Sequence, residues 1–129
     1  MINRGGEIIA PVDVEDALLA SPQLPASAGG GRVSSCLAFA WPHASLQEAV
    51  GLVVVMSAQH SCRPSLPELC AHLSSSLQAA KWPLGLVFMD ALPRGATGKP
   101  QRIQLASRLG LPELKDHMSP RERLFEAHC

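Results

Sequence analysis

The run GLVVVM, residues 51–56, is apolar at every position after its glycine and rich in β-branched side chains. That pattern fits a strand covered on both faces. It predicts one strand over Val50–Met56, and the apolar run Cys36–Trp41 predicts a second. The intervening PHASLQEA reads as a turn or short helical segment, and GLVFMDAL as a third strand. Helical spacing appears elsewhere. Val14, Ala17 and Leu18 stand at i, i+3 and i+4, behind Pro11 and an acidic first turn. In SLPELCAHLSSSLQAAKW, residues Leu66, Leu69, Cys70, Leu73, Leu77 and Ala80 share one stripe. Ser65 and Glu68 have capping-box spacing there, and Pro83 ends the helix. Pro100 starts a further helix over Gln101–Leu109, with Gly110 as its C′ residue. At the start, INRGGEII reads as a glycine-containing turn and a short strand, while QLPASAGGGRVSS reads as a loop. Its glycine run leads toward a strand rather than a helix N-terminus, which argues against a phosphate cradle. The more charged LPELKDHMSPRERLFEAHC is expected to be a tail or linker.

Composition narrows the function classes. The 129 residues, 47% apolar, suit about one domain, with a core of Leu, Val, Ile and Ala because Tyr is absent. Acidic and basic residues balance at 11 each, unlike the basic excess of a nucleic-acid binder. No apolar run has the length of a membrane span, and MINRGGE is polar where a secretory leader carries its apolar region. The 4 cysteines include no C-x-x-C pair, so free thiols in a reducing, cytoplasmic setting are expected.

Candidate chemistry centres on LPRGATGKPQR, residues 92–102, where Lys99 stands between Gly98 and Pro100. A nucleotide-hydrolase phosphate loop needs Gly-x-x-x-x-Gly-Lys-Ser/Thr. Here Pro93 replaces the first glycine and Pro100 the hydroxyl residue, so that match fails. Spacing alone leaves Gly95 and Gly98 as residues that close a turn around a solvated lysine. His60, Cys62, Cys70 and His72 suggest zinc, but the spacing fits no common site, and Cys70 lies on the buried helix stripe while His72 lies off it. His43, Glu48 and Asp90 stand alone in sequence, and no Ser/His/Asp or Cys/His grouping follows from spacing.

Four segments, in order, resemble the mobile C-terminal domain of the acyl-activating, adenylate-forming enzymes: acyl-CoA synthetases, fatty acyl-AMP ligases and peptide-synthetase adenylation domains. INRGGEIIAPVDVED resembles the family's glycine-rich segment and its Pro-x-x-(Val/Ile)-Glu helix. FAWPHASLQEAVGLVVV resembles its strand–turn–strand unit. LPELCAHLSSSLQAAKWPLGLVFMDALP resembles its helix, Lys-x-Pro and strand, and LPRGATGKPQRIQL its closing Pro-x-x-x-x-Gly-Lys motif. The resemblance covers residues 1–110, with 111–129 left as the tail or linker. It implies an α+β fold with a small central sheet of about three strands and packed helices, preceded by a short glycine-rich β segment.

The resemblance also implies roles. Lys99, on a loop with Thr97 and Gly98, would reach the α-phosphate and the substrate carboxylate during adenylation. After a domain rotation, Gly5, Gly6 and Glu7 would line the passage of a pantetheine thiol, with Arg4 touching the thiol partner or the larger domain. Lys81 would cover apolar surface with its stem. ATP and AMP would be handled with Mg2+, held mainly by a large N-terminal domain outside this chain, and the thiol would come from CoA or a carrier-protein phosphopantetheine. On this reading the chain is an excised or truncated domain whose hinge precedes Met1. The alternative is a non-catalytic interaction module that keeps the fold and docks a carrier or partner domain. Departures from the family pattern are Gln47, where a glycine usually precedes the glutamate, Ala10, where a serine caps the helix, and the inserted AGGG.

Overall fold

The computed structural model describes residues 1–25, 31–57, 64–93, 102 and 104–126. Its centre is an antiparallel pair, β3 (Val33–His43) and β4 (Gln47–Met56), in register from Ser35↔Val55 to His43↔Gln47. β5 (Gly85–Phe88) lies parallel to β4, and β6 (Leu124–Glu126) parallel to β5. A hairpin of β1 (Ile2–Arg4) and β2 (Glu7–Ile9) joins the start of β4 through Arg4↔Gln47. Among the described residues the sheet therefore has 6 strands rather than about three. The expected strands are present as β3, β4 and β5. The hairpin adds β1 to the expected β2, and the last strand comes from the presumed tail.

Both faces of the sheet are covered, as the unbroken apolar run of β4 requires. Val50, Leu52 and Val54 face the side closed by helices α1 (Pro11–Ala20) and α2 (Leu66–Leu73). Val53 and Val87 face the side closed by the short helix α3 (Leu105–Arg108) and Leu114. On that second face Trp41 and Phe39 are fully buried, their ring centroids 5.5 Å apart. Gly51 and Gly85, register partners across β4 and β5, form the floor beneath them. A Cβ on either glycine would come within 2.7 Å of a ring carbon.

Three expectations are corrected. The second helix ends at Leu73 instead of running to Trp82. Three serines follow, and Ser74 Oγ donates back to Ala71 O at 2.6 Å, the local side-chain bonding that competes with helix continuation. The last helix begins only at Leu105, because Gln104 has φ +52°. Residues 111–126 lie against the sheet rather than leaving it as a linker. Leu114 is fully buried, Trp41 Nε1 donates to Pro112 O at 2.8 Å, and Phe125 packs on Trp41 at 5.3 Å between centroids. The other caps follow the sequence. Ser65 and Glu68 form their capping box, while Ala10 starts α1 with no side-chain cap and Pro11 at the first helical position. Among the described residues, no helix is long and apolar enough to cross a membrane.

Candidate functional site

The glycine segment is the turn of the β1–β2 hairpin. Gly5 and Gly6 have φ of +57° and +99°, which L side chains adopt only with strain. The turn is docked on the neighbouring β3–β4 turn. Gly5 N donates to Leu46 O at 2.7 Å, and Gly6 N to Asn3 Oδ1 at 2.9 Å. Asn3 N in turn donates to Glu48 Oε1 at 2.8 Å. Glu48, which stands alone in sequence, therefore anchors the turn from 45 residues away. Gly5, Gly6 and Glu7 are exposed, and nothing lies within 4 Å of a Cβ placed on Gly6. The turn offers bare backbone to an approaching group. Arg4 is half-buried beside it, and among the described residues its Nε has no hydrogen-bond partner.

The β3–β4 turn has its own support. His43 is 4% exposed, and its Nδ1 accepts from Ser45 N at 3.1 Å and Leu46 N at 3.2 Å. With that nitrogen accepting, the ring proton belongs on Nε2, which lies 3.7 Å from Asp116 Oδ1. Ser45 Oγ also donates to Asp116 at 3.1 Å. A serine, a histidine and an aspartate thus meet without forming a nucleophile, since the histidine is committed to backbone N–H groups. Gln47 follows with φ +67°, the conformation that explains a glycine at this place in the family pattern.

Lys99, Thr97 and Gly98 lie outside the described residues, as do His60 and Cys62. Arg102, three positions beyond Lys99, is described. Its Nη2 stands 3.1 Å from Glu15 Oε2, and that same oxygen accepts from Ala38 N at 2.8 Å. Glu15 is the glutamate of the Pro-x-x-Val-Glu segment. Arg102 also borders a cleft of about 220 Å³ with Met1, Ile2, Pro11, Ala40 and Gln104, at the end of the hairpin opposite the glycine turn. The base of the lysine segment and the glycine turn therefore occupy the two ends of one hairpin. Sequence reading missed Glu15, Arg102, Glu48 and Leu46 as supports. The capital signal was the placement of Glu15 in the helix motif, which identifies the residue but not its partner.

The remaining candidates have structural partners. Cys70 Sγ donates to Pro83 O at 3.6 Å, and His72 Nε2 meets Ser21 O at 2.7 Å, so the two point to different neighbours. Lys81 Nζ pairs with Asp13 at 3.3 Å. Among the described residues no three His, Cys, Asp or Glu side chains come together as metal ligands. Burial pushes the Cys36 thiol up to about 12, with Glu15 and Asp16 adding to the effect, and burial pushes Cys70 up to about 11.

No model of a known protein family matches the chain. Individual proteins do. Over 106 residues, 82% of this chain, it is 30% identical to the oxalate–CoA ligase of Saccharomyces cerevisiae. Over 99 residues, 77% of the chain, it is 35% identical to a medium/long-chain-fatty-acid–CoA/3-oxocholest-4-en-26-oate–CoA ligase of Mycobacterium tuberculosis. The chain spans 18% and 16% of those two proteins. The crystal structure of the Brucella canis acyl-CoA synthetase superposes on 81% of the chain with a TM-score of 0.64 at 30% identity, using 18% of its own length. Similar to these CoA ligases over about four-fifths of its length, and folded like them, the chain matches the C-terminal domain of the acyl-activating, adenylate-forming superfamily.

Proposed function

We propose that the chain works as the mobile C-terminal domain of an ATP-dependent enzyme that forms acyl-AMP from a carboxylic acid and passes the acyl group to a thiol. The observation that carries this reading is the ordered pair of motifs, glycine turn and Gly-Lys, on a domain whose relatives are CoA ligases. Lys99 is the catalytic residue. Attack of a carboxylate on the α-phosphate brings two anions together, and a compact ammonium stabilises the charge that develops. The exposed turn of Gly5, Gly6 and Glu7 lines the thiol's passage after rotation, with Arg4 beside it. Thr97 and Gly98 belong to the lysine loop. ATP and its Mg2+ are held mainly by a large N-terminal domain, and the acceptor is CoA or a carrier-protein phosphopantetheine. The free thiols of Cys36 and Cys70 suit a reducing, cytoplasmic setting.

The test separates the two half-reactions in the full-length enzyme. Lys99→Ala should slow acyl-AMP formation by orders of magnitude, a loss of roughly 3 to 4 kcal/mol of transition-state stabilisation. Transfer from supplied acyl-AMP to the thiol should be retained. Arginine should not rescue, because its planar fork differs in shape and reach from an ammonium. Normal adenylation by the alanine variant would make Lys99 a solvated turn residue and favour the interaction module.

A further inference from the structure

We infer that His43 is a positioning residue for thiol transfer: its buried ring holds the β3–β4 turn in the arrangement on which the glycine turn is docked. The inference rests on the reading of Gly5 and Gly6 as the thiol's passage. His43 is the one buried polar or charged residue among the described residues, with 1% of its side chain exposed. A buried imidazole needs partners for its nitrogens. Nδ1 has two, accepting from Ser45 N at 3.1 Å and Leu46 N at 3.2 Å. Both donors lie on a surface turn, where Ala44 and Ser45 are exposed. Ala44 N donates to Leu114 O at 2.8 Å. All three amides of residues 44–46 are therefore held by protein. A turn that left them to water would be more mobile.

The turn passes this order to the hairpin. Leu46 O accepts from Gly5 N at 2.7 Å and from Glu48 N at 2.8 Å. β1 pairs with β4 through Arg4↔Gln47 alone. The glycine turn is consequently placed by Leu46 O and by the Glu48 bond to Asn3 N, and Leu46 is placed by His43. A Cβ on Gly5 would lie 3.3 Å from Leu46 Cδ2, so the two turns are in direct contact. Asp116 selects the tautomer. Its Oδ1 lies 3.7 Å from Nε2, which keeps the ring proton there and leaves Nδ1 to accept. The Asp116 side chain is 74% exposed, so it contributes less than the two amide bonds. Its segment is fastened by Arg123, whose guanidinium donates to Lys115 O at 2.8 Å, Met118 O at 3.2 Å and Leu84 O at 3.3 Å. Residues expected to form a tail thus brace the glycine turn.

The experiment compares His43→Leu, His43→Asn, Asp116→Ala and Leu69→Ala in the full-length enzyme, with the two half-reactions assayed separately. Leucine fills space and offers no acceptor. Asparagine offers an oxygen to the amides that follow it, the Asx-turn geometry. A 1 Å misplacement can cost about 100-fold in rate, so a shift of about half that size predicts roughly tenfold. His43→Leu should therefore lower kcat for thiol transfer from supplied acyl-AMP by roughly tenfold. Acyl-AMP formation should be unchanged. His43→Asn should recover most of the rate, and Asp116→Ala should cost less than about fivefold. Hydrogen exchange over residues 3–7 and 44–47 should rise roughly tenfold in His43→Leu and stay near the parent's in His43→Asn. Leu69→Ala opens the core at α2, away from the turn, and should leave the ratio of the two half-reactions as in the parent. Normal transfer by His43→Leu, while Gly6→Leu is impaired, refutes the inference. So does an equal loss in both half-reactions, as a purely structural ring would give, or a His43→Asn variant as slow as His43→Leu. If Gly6→Leu transfers normally, the thiol-passage reading fails, and the role of His43 in transfer fails with it.

Discussion

Gly85→Ala adds one methyl group to the floor under Trp41. Its Cβ would lie 2.6 Å from Trp41 Cζ3, 2.8 Å from Cε3 and 3.1 Å from Cη2. Carbon atoms rest at about 3.5 to 4.0 Å, so the ring must move by roughly 1 Å. It has little room to do so. Trp41 is fully buried, stacked on Phe39, packed on Phe125 and hydrogen-bonded to Pro112 O at 2.8 Å. Overpacking of this kind costs about 1–3 kcal/mol. Alanine restricts the unfolded chain and returns about 0.4–1 kcal/mol. The expected net loss is about 1–2 kcal/mol, and larger if the indole N–H gives up its carbonyl. In a domain of this size that lowers Tm by roughly 3–10 °C.

Urea unfolding of the 129-residue chain followed by far-UV circular dichroism measures the loss. The double variant Gly85→Ala/Trp41→Phe isolates its cause. Phenylalanine lacks the atoms that meet the new methyl, so the two changes should be less than additive by at least about 1 kcal/mol. A Gly85→Ala protein as stable as the parent, or strictly additive losses in the cycle, would refute the reasoning.

Two further outcomes are expected. Gln47→Gly should stabilise the chain by up to about 1 kcal/mol, because it relieves a left-handed φ and gives up only an exposed 3.2 Å contact with Asn3; chemical denaturation reads the sign directly. The Cys36 thiol should resist alkylation at pH 8 until the protein unfolds, since burial pushes it from 9.0 up to about 12; peptide mapping after labelling, with and without urea, checks it. The linkage has a sign as well. A raised thiol pKa contributes stability that is complete below about 9 and is lost as pH rises through 12.

The three central strands were legible because their apolar runs carry the signature of two-sided burial. β1 and β6 were not. Each has three residues, and INR and LFE carry no period that a strand of that length could display. β6 exists because β5 presents an open edge and Phe125 has Trp41 to pack on, facts of tertiary structure. The site divided along the same line. Its two motifs are local and were readable, whereas their supports are pairs separated by 45 and 87 residues. Glu15 read as a charge suited to a helix N-terminus, and its partners could emerge only when β3 brought Ala38 beside it.

The two local departures from the family pattern now have a physical meaning that bears on function. Gln47 sits where φ is +67°, and Ala10 starts a helix with no side-chain cap. Strain at the first and a missing cap at the second each cost about 1 kcal/mol of stability. Ala10 lies outside the glycine turn, whereas Gln47 Oε1 accepts from Asn3 Nδ2 at 3.2 Å beside it. Gln47 even retains its backbone pairing with Arg4, so the hairpin stays docked despite the strain. The departures therefore weaken the scaffold while the proposed catalytic lysine, the bare glycine turn and the Glu15–Arg102 pair all remain in the chain. A module that only docked a partner would have no chemical need for a lysine at position 99. The half-reaction measurements on Lys99 are for that reason the ones that separate an acyl-activating domain from a binding module built on the same fold.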